Sequence, residues 1–195
     1  MRTLTYVVGV TLDGYVCAPD GSIDFFPDGD TDFHLREIPE LVPTHIRAQF
    51  ELDVPNERFD TMLQGRGSYE LALREGITRP FAHMREYVFS RTLSADVDPT
   101  LTVVAEDPLG VVRALKAEPG GLGICVVGGP SIAGVLLPEI DEILLKRYPV
   151  IAGSGKTLFE GAEYSPAAFE RVNRHDIAGG GDYTLWRRAT AAPRS

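Results

Sequence analysis

Apolar and polar positions along the chain follow two different periods, and this pattern predicts the elements. Short β-branched and apolar runs, typical of buried strands, lie at residues 3–10, 61–65, 86–90, 101–104, 123–127 and 142–151. Helix-forming segments bounded by proline or glycine lie at residues 68–75, 108–118 and 130–137. Residues 169–177 and 183–188 flank three glycines, which predicts a terminal hairpin. Successive β-α-β units closed by a hairpin predict a mixed sheet with helices on both faces.

Composition narrows the class of protein. The chain has 195 residues, of which 44% are apolar, so we expect one domain over residues 1–188 and a frayed tail at 189–195. The net charge of −9 repels a phosphate backbone and disfavours nucleic acid as a partner. No apolar run approaches the roughly 18 residues of a membrane span. Two cysteines and four scattered histidines predict neither a disulfide framework nor a metal site, and we expect a cytoplasmic protein.

Candidate chemistry lies in three turns that follow predicted strands. Residues 65–68 join a strand to a helix, with glycines that let a ligand approach, an arginine suited to phosphate and a serine that could cap the helix. Residues 128–131 form a Gly-Gly-Pro-Ser turn, which could open a nest for a pyrophosphate. Residues 90–92 add a donor-rich Ser-Arg-Thr turn. Taken singly, the first could equally be a plain turn and the second is more often one, but ligands of α/β sheets bind beyond the carboxyl ends of the strands.

Residues 155–157 have the sequence Gly-Lys-Thr, which is also the end of the phosphate-binding P-loop motif. That motif requires a further glycine five residues before Gly155, where this chain has Val150. Pro149 interrupts the strand that would lead into the loop. We therefore expect no nucleotide triphosphatase activity at Lys156. The same proline places the predicted strand 142–151 at a sheet edge or a bend, and an exposed apolar edge would be covered by a homodimer.

The order of these motifs resembles a known family. Residues 11–16 (TLDGYV), 59–70 (FDTMLQGRGSYE), 88–93 (VFSRTL), 127–129 (VGG) and 141–156 are similar to segments of the dihydrofolate reductase-like proteins. The resemblance is greater to the reductase domain of the bifunctional riboflavin-biosynthesis deaminase/reductase, and it extends over about residues 2–188. It implies a dihydrofolate reductase-like three-layer α/β/α fold, whose mixed central sheet ends in a C-terminal β-hairpin.

The resemblance also implies an activity and a cofactor site. The activity is NADPH-dependent hydride transfer to a small heterocyclic or sugar-like substrate, as in 5-amino-6-(5-phosphoribosylamino)uracil reductase, by a homodimer. An arginine beside the adenosine ribose favours NADP over NAD. The adenosine 2′-phosphate and the pyrophosphate would be held by the three turns, at Gly65, Arg66, Gly67, Ser68, Ser90, Arg91, Thr92, Gly128, Gly129, Pro130 and Ser131.

This chain departs from the family pattern in two places. Gly67 stands where such proteins often carry a bulkier or basic residue, which would loosen the grip on the phosphate. Residues 39–58 are longer and contain more prolines than in a minimal member, so the substrate wall would be particular to this chain. No deaminase zinc motif is present, so the resemblance concerns the reductase half alone.

Candidate catalytic residues come from the loop after the first strand, which offers Asp13, Asp20 and Asp24. Asp13 is predicted either to orient a substrate group or water, or to serve as a turn residue before Gly14. Asp24 is predicted to line the substrate pocket, with Phe25 and Phe26 as an apolar wall or as core residues. The carboxylate that holds the substrate in dihydrofolate reductase has two candidate counterparts, Asp32 and Glu37. A non-catalytic protein that binds a ligand or nucleotide on the same fold is the alternative function.

Overall fold

The computed structural model describes residues 1–27 and 31–190, with only the backbone at positions 31 and 32. Residues 28–30 of the acidic loop and residues 191–195 of the predicted tail lie outside this range. The described part contains ten strands: β1 (Leu4–Val10), β2 (Tyr15–Cys17), β3 (Phe59–Gly65), β4 (Arg85–Phe89), β5 (Thr102–Val104), β6 (Gly123–Val126), β7 (Glu142–Arg147), β8 (Lys156–Thr157), β9 (Phe169–Asp176) and β10 (Asp182–Arg188). Its α-helices are α1 (Thr31–Glu37), α2 (Thr44–Gln49), α3 (Arg66–Arg74), α4 (Pro108–Ala117) and α5 (Pro130–Leu136).

Eight strands form one mixed sheet in the order β5-β4-β3-β6-β1-β7-β10-β9. The six strands from β5 to β7 run parallel, and β10 pairs antiparallel with both β7 and β9. The predicted α/β class and the terminal hairpin are therefore confirmed. The prediction that the strand at 142–151 lies at an edge is wrong, because β7 ends at Arg147 and lies between β1 and β10. Pro149 stands in the bend that follows, and the edges of the sheet are β5 and β9.

Helices cover both faces of the sheet because alternate strand residues are apolar on each side. On one face, Leu63 and Ile124 pack with Val112 of α4 and Leu136 of α5 in the largest core cluster. The opposite face is covered by α1 and α3. Phe33 of α1 packs with Leu144, Tyr183 and Leu185, and Tyr69 of α3 packs with Val88 and Leu101. The result is the predicted three-layer arrangement.

A second, two-stranded sheet pairs β2 with β8. Neither strand was predicted, because runs of three and two residues are too short to show a period. Lys156 and Thr157 form β8 and do not open a helix, in agreement with the rejection of a P-loop at this position. Among the residues described, no helix is both long and apolar enough to cross a bilayer.

Candidate functional site

The sheet order brings the three predicted turns together. Strands β4, β3 and β6 are consecutive neighbours and run parallel, so their carboxyl ends meet at one edge of the sheet. Gly65, the last residue of β3, pairs with Phe89, the last residue of β4. The turns that follow at 65–68, 90–92 and 128–131 therefore lie side by side.

The turns after β3 and β6 touch through their backbones. The Gly65 amide donates a hydrogen bond to the Gly128 carbonyl, with an N···O distance of 2.6 Å. A Cβ atom at Gly65 would lie 3.2 Å from the Gly129 nitrogen and 3.2 Å from Ile132 Cγ2. Glycine at position 65 thus permits the close approach of the two turns.

Gly128 supports the second turn with a conformation that side chains rarely adopt. Its φ is +127°, and the bond between Gly128 and Gly129 is cis. A Cβ atom at Gly128 would lie 2.6 Å from the hydroxyl oxygen of Ser68. Ser68 lies in the first turn of α3 and faces this backbone. The sequence suggested that Ser68 could cap α3, and it does not. The helix begins two residues earlier, with Gly65 as the N-cap residue and no capping side chain.

The third turn is closed by Ser90, whose hydroxyl oxygen accepts hydrogen bonds from the amides of Thr92 and Leu93 at 3.2 and 3.0 Å. Ser90 is buried, while Arg91 and Thr92 are exposed. Arg66 Nη1 donates a hydrogen bond to Thr92 Oγ1 and links this turn to the N-terminus of α3. All three turns are thus in contact, through Gly65 with Gly128 and through Arg66 with Thr92.

Two carboxylates that were not predicted from the sequence stand beside these donors. Glu70 Oε1 accepts a hydrogen bond from Arg66 Nε at 2.6 Å. Ser131 Oγ donates to Glu160 Oε2 at 2.5 Å. The spacing of four residues on one helix could have indicated the first contact. The second joins residues 29 positions apart, and no local pattern indicates it.

Asp13 is engaged in linking two loops. Its Oδ1 accepts hydrogen bonds from Thr11 Oγ1 at 2.6 Å and from the Ala152 amide at 3.1 Å, and its Oδ2 accepts from the Gly153 amide at 2.7 Å. The Thr11 hydroxyl, followed by these two amides, holds the pKa of Asp13 below its ordinary value. These bonds fit the turn role considered for Asp13, and its catalytic role stays a prediction.

Asp24 lines a cavity of about 540 Å³ at the carboxyl end of β7. Phe25, Phe26 and Tyr148 form its aromatic wall, with ring centroids 4.4 Å apart between the two phenylalanines and 4.3 Å apart between Phe26 and Tyr148. The buried Lys146 ammonium lies over the Tyr148 ring, 4.5 Å from its centroid. Tyr148 and Lys146 belong to the long apolar run at 142–151, which is why the sequence indicated only a strand there.

Of the two other carboxylates considered for substrate binding, the structure describes the side chain of one. Glu37 is exposed at the end of α1. The side chain of Asp32 lies outside the described residues.

Comparison with known sequences identifies relatives along most of the chain. A family model described as the RibD C-terminal domain matches residues 2–177. Two uncharacterized proteins of Bacillus subtilis strain 168, YwjB and YyaP, are 28% identical over 162 residues and 29% identical over 175 residues. Each match covers 81% of this chain, together with 82% of YwjB and 80% of YyaP.

Comparison with solved structures identifies the same fold. A Shewanella sp. PV-4 protein, described as a riboflavin biosynthesis protein, matches with a TM-score of 0.69 and 20% identity over 97% of this chain and 99% of its own. A diaminohydroxyphosphoribosylaminopyrimidine deaminase/5-amino-6-(5-phosphoribosylamino)uracil reductase of Thermotoga maritima matches with a TM-score of 0.65 and 15% identity. That match covers 96% of this chain and 57% of the Thermotoga chain. The predicted dihydrofolate reductase-like α/β fold is confirmed.

The family match extends over the first strand, all three turns and the loop after β7. The chain belongs to the RibD C-terminal domain family.

Proposed function

We propose that this chain is an NADPH-dependent reductase that transfers a hydride to a small heterocyclic or sugar-like substrate. The observation that carries the proposal is the contact between the turns after β3 and β6, where Gly65 and Gly128 leave backbone in place of side chains. Two glycine turns that pack backbone against backbone at the ends of parallel strands would offer main-chain donors to a pyrophosphate. Arg66, beside it, suits a phosphate on the adenosine ribose.

Each turn has a role in holding the cofactor. Arg66 and Arg91 would bind the 2′-phosphate with guanidinium donors, and the Thr92 hydroxyl, already in contact with Arg66, would complete that pocket. Gly128 and Gly129 would accommodate the pyrophosphate, with the Ser68 hydroxyl facing the same backbone. Pro130 begins α5 without an amide hydrogen to lose. Bound NADPH supplies the hydride.

The substrate would enter the cavity beside Tyr148. Its aromatic wall suits a planar heterocycle, because stacked rings are favourable when offset or tilted. Asp24, which is exposed at this cavity, would bind a polar group of the substrate. Asp13 would hold the loop after β1 against residues 152–153 and so fix the wall between cavity and cofactor.

Titration of the purified protein with NADPH and NADH, followed by fluorescence or calorimetry, tests the proposal. NADPH should bind at least about tenfold more tightly than NADH, because only NADPH carries the phosphate that Arg66 recognises. Arg66→Ala should abolish this preference and leave NADH binding unchanged. Equal affinities for the two nucleotides in the unaltered protein, or no binding, would exclude the NADPH site.

Turnover distinguishes a reductase from a protein that only binds. NADPH oxidation should be followed at 340 nm with pterins, ribosylaminopyrimidines and quinones as acceptors. Oxidation with one of them, lost in Arg66→Ala at limiting NADPH, supports the reductase. Tight NADPH binding without oxidation by any acceptor supports the non-catalytic alternative.

We further propose that the protein is a cytoplasmic homodimer paired through β9. This strand is an edge of the sheet and is exposed along nearly its whole length, and such edges are usually covered. A second copy paired antiparallel about Val172 would place Glu170 opposite Arg174 in both directions. Light scattering should give a dimer mass for the unaltered protein and a monomer mass for Val172→Lys. A monomer mass for both would contradict the dimer.

A further inference from the structure

Arg66 is held by a carboxylate of its own helix. Its Nε donates to Glu70 Oε1 at 2.6 Å, and its Nη1 donates to Thr92 Oγ1. Two of the three guanidinium nitrogens are therefore engaged without a ligand. The Arg66 and Glu70 side chains are 45% and 32% exposed, so an incoming phosphate can reach both.

We propose that Glu70 limits the affinity for NADPH by competing with the 2′-phosphate for Arg66, and so sets the preference for NADPH over NADH. The proposal rests on the proposed function, because it assigns the phosphate to Arg66. Glu70 is a specificity-determining residue in this arrangement, acting on the phosphate through Arg66 and through its own charge.

Two effects of Glu70 act in the same direction. Its carboxylate repels a phosphate bound to the neighbouring guanidinium, since both groups carry negative charge and are separated by a single side chain. It also occupies Nε, which removes one of the paired donors that an arginine offers to a phosphate in a bidentate contact. NADH carries a hydroxyl at the same ribose position and is affected by neither.

The first turn of α3 contains no basic side chain besides Arg66. Gly67 supplies no side chain, and a Cβ atom there would meet no atom within 4 Å. The positive charge of this turn is thus concentrated in Arg66, one turn of helix before Glu70. A single carboxylate can therefore change the charge balance that the phosphate meets.

Glu70→Gln tests the proposal because the amide keeps an oxygen that accepts from Arg66 Nε and loses the charge. Glu75→Gln is the matched control, since Glu75 is exposed and caps the other end of the same helix. Glu70→Gln should lower the Kd for NADPH about fivefold and change the Kd for NADH less than about twofold. Glu75→Gln should leave both constants unchanged. In about 1 M NaCl the gain should fall below about twofold, because salt screens charges at partly exposed sites.

The outcomes separate this proposal from the proposed function. An NADPH Kd that is unchanged or higher in Glu70→Gln, while Arg66→Ala abolishes the preference for NADPH, overturns the role of Glu70 and keeps the cofactor site. A higher Kd for NADPH in Glu70→Ala, together with an unchanged Kd in Glu70→Gln, would mean that Glu70 holds Arg66 in position. That result would likewise overturn the proposal. If Arg66→Ala does not alter NADPH binding, the 2′-phosphate is not bound by Arg66. Both the assignment of the phosphate to Arg66 and the role of Glu70 are then wrong.

Discussion

Arginine has opposite roles at the two ends of the parallel strands, which are here called the amino-terminal edge and the carboxyl-terminal edge of the sheet. At the amino-terminal edge, the Arg2 side chain is 3% exposed and is paired with both Asp60 and Glu118. It also donates to Thr61 Oγ1 at 2.9 Å, and Arg85 joins the same group through Glu118 at 2.7 Å. Every positive charge in this group meets a carboxylate, and the group ties β1 to β3 and to the segment after α4.

At the carboxyl-terminal edge, the arginine is on the surface and the partners are sparse. The Arg66 side chain is 45% exposed and meets one carboxylate, Glu70, in a pair of a kind that contributes little to stability. Beside it, Gly65 and Gly128 let two turns pack backbone against backbone, since a Cβ atom at either would meet a neighbouring residue. The Arg2 charge thus stabilises the fold, while the Arg66 charge is available to a ligand.

The largest expected effect is on stability at the amino edge. Arg2→Ala should lower the free energy of unfolding by about 3 kcal/mol, because it leaves Asp60 without its buried partner. Chemical denaturation measures this loss, and the folded variant should bind NADPH as the unaltered protein does. Arg113→Ala, which removes an exposed pair with Glu139, is the control and should cost less than about 1 kcal/mol. An equal loss in both variants would contradict the distinction between the edges.

A smaller effect on stability, coupled to binding, is expected at Gly128. Gly128→Ala places a Cβ atom 2.6 Å from Ser68 Oγ at a φ of +127°, which should cost about 1–3 kcal/mol. It should weaken NADPH and NADH alike, since both carry the pyrophosphate. Gly76→Ala is the control, because its φ of +76° is also positive, its Cβ atom meets open space, and it lies beyond the other end of α3. Unaltered nucleotide binding in Gly128→Ala would exclude this turn from the site.

The smallest effect concerns Asp13 and depends on pH. The pKa of Asp13 is lowered in the folded protein, chiefly by the Thr11 hydroxyl, so its carboxylate stabilises the fold above the ordinary aspartate pKa of about 3.9. This contribution is lost as the pH falls through the lowered folded value. Asp13→Asn should therefore reduce the Tm at pH 7, and the difference from the unaltered protein should shrink below about pH 4. A difference that stays constant with pH would contradict the role of the charge.

Much of the fold could be predicted because its elements carry local signals. Proline at the start of α4 and α5 and the short apolar runs that are buried nearly throughout β3 and β6 are properties of neighbouring residues. The position of β7 could not be predicted in this way. An apolar run shows that a strand is buried, and it does not show that β10 returns from about 40 residues later to pair with its outer side.

The candidate site, like the fold, has parts that local sequence signals predict and parts that they do not. Glycine and arginine after strands indicated the three turns, since parallel strands end at a common edge. The contact of Ser131 with Glu160 and the hydrogen bonds that Asp13 accepts from the Ala152 and Gly153 amides join distant segments. Such contacts depend on how loops fold over the sheet, and residue spacing carries no information about them.

A crystal structure of the protein grown with NADPH tests the shared nucleotide site most directly. We expect the 2′-phosphate within hydrogen-bond distance of the Arg66 guanidinium and the Thr92 hydroxyl, and the pyrophosphate against Gly128 and Gly129. The nicotinamide should then face the cavity lined by Tyr148. A nucleotide bound elsewhere, or one that contacts a single turn and leaves the other two free, would contradict a cofactor site built from all three turns.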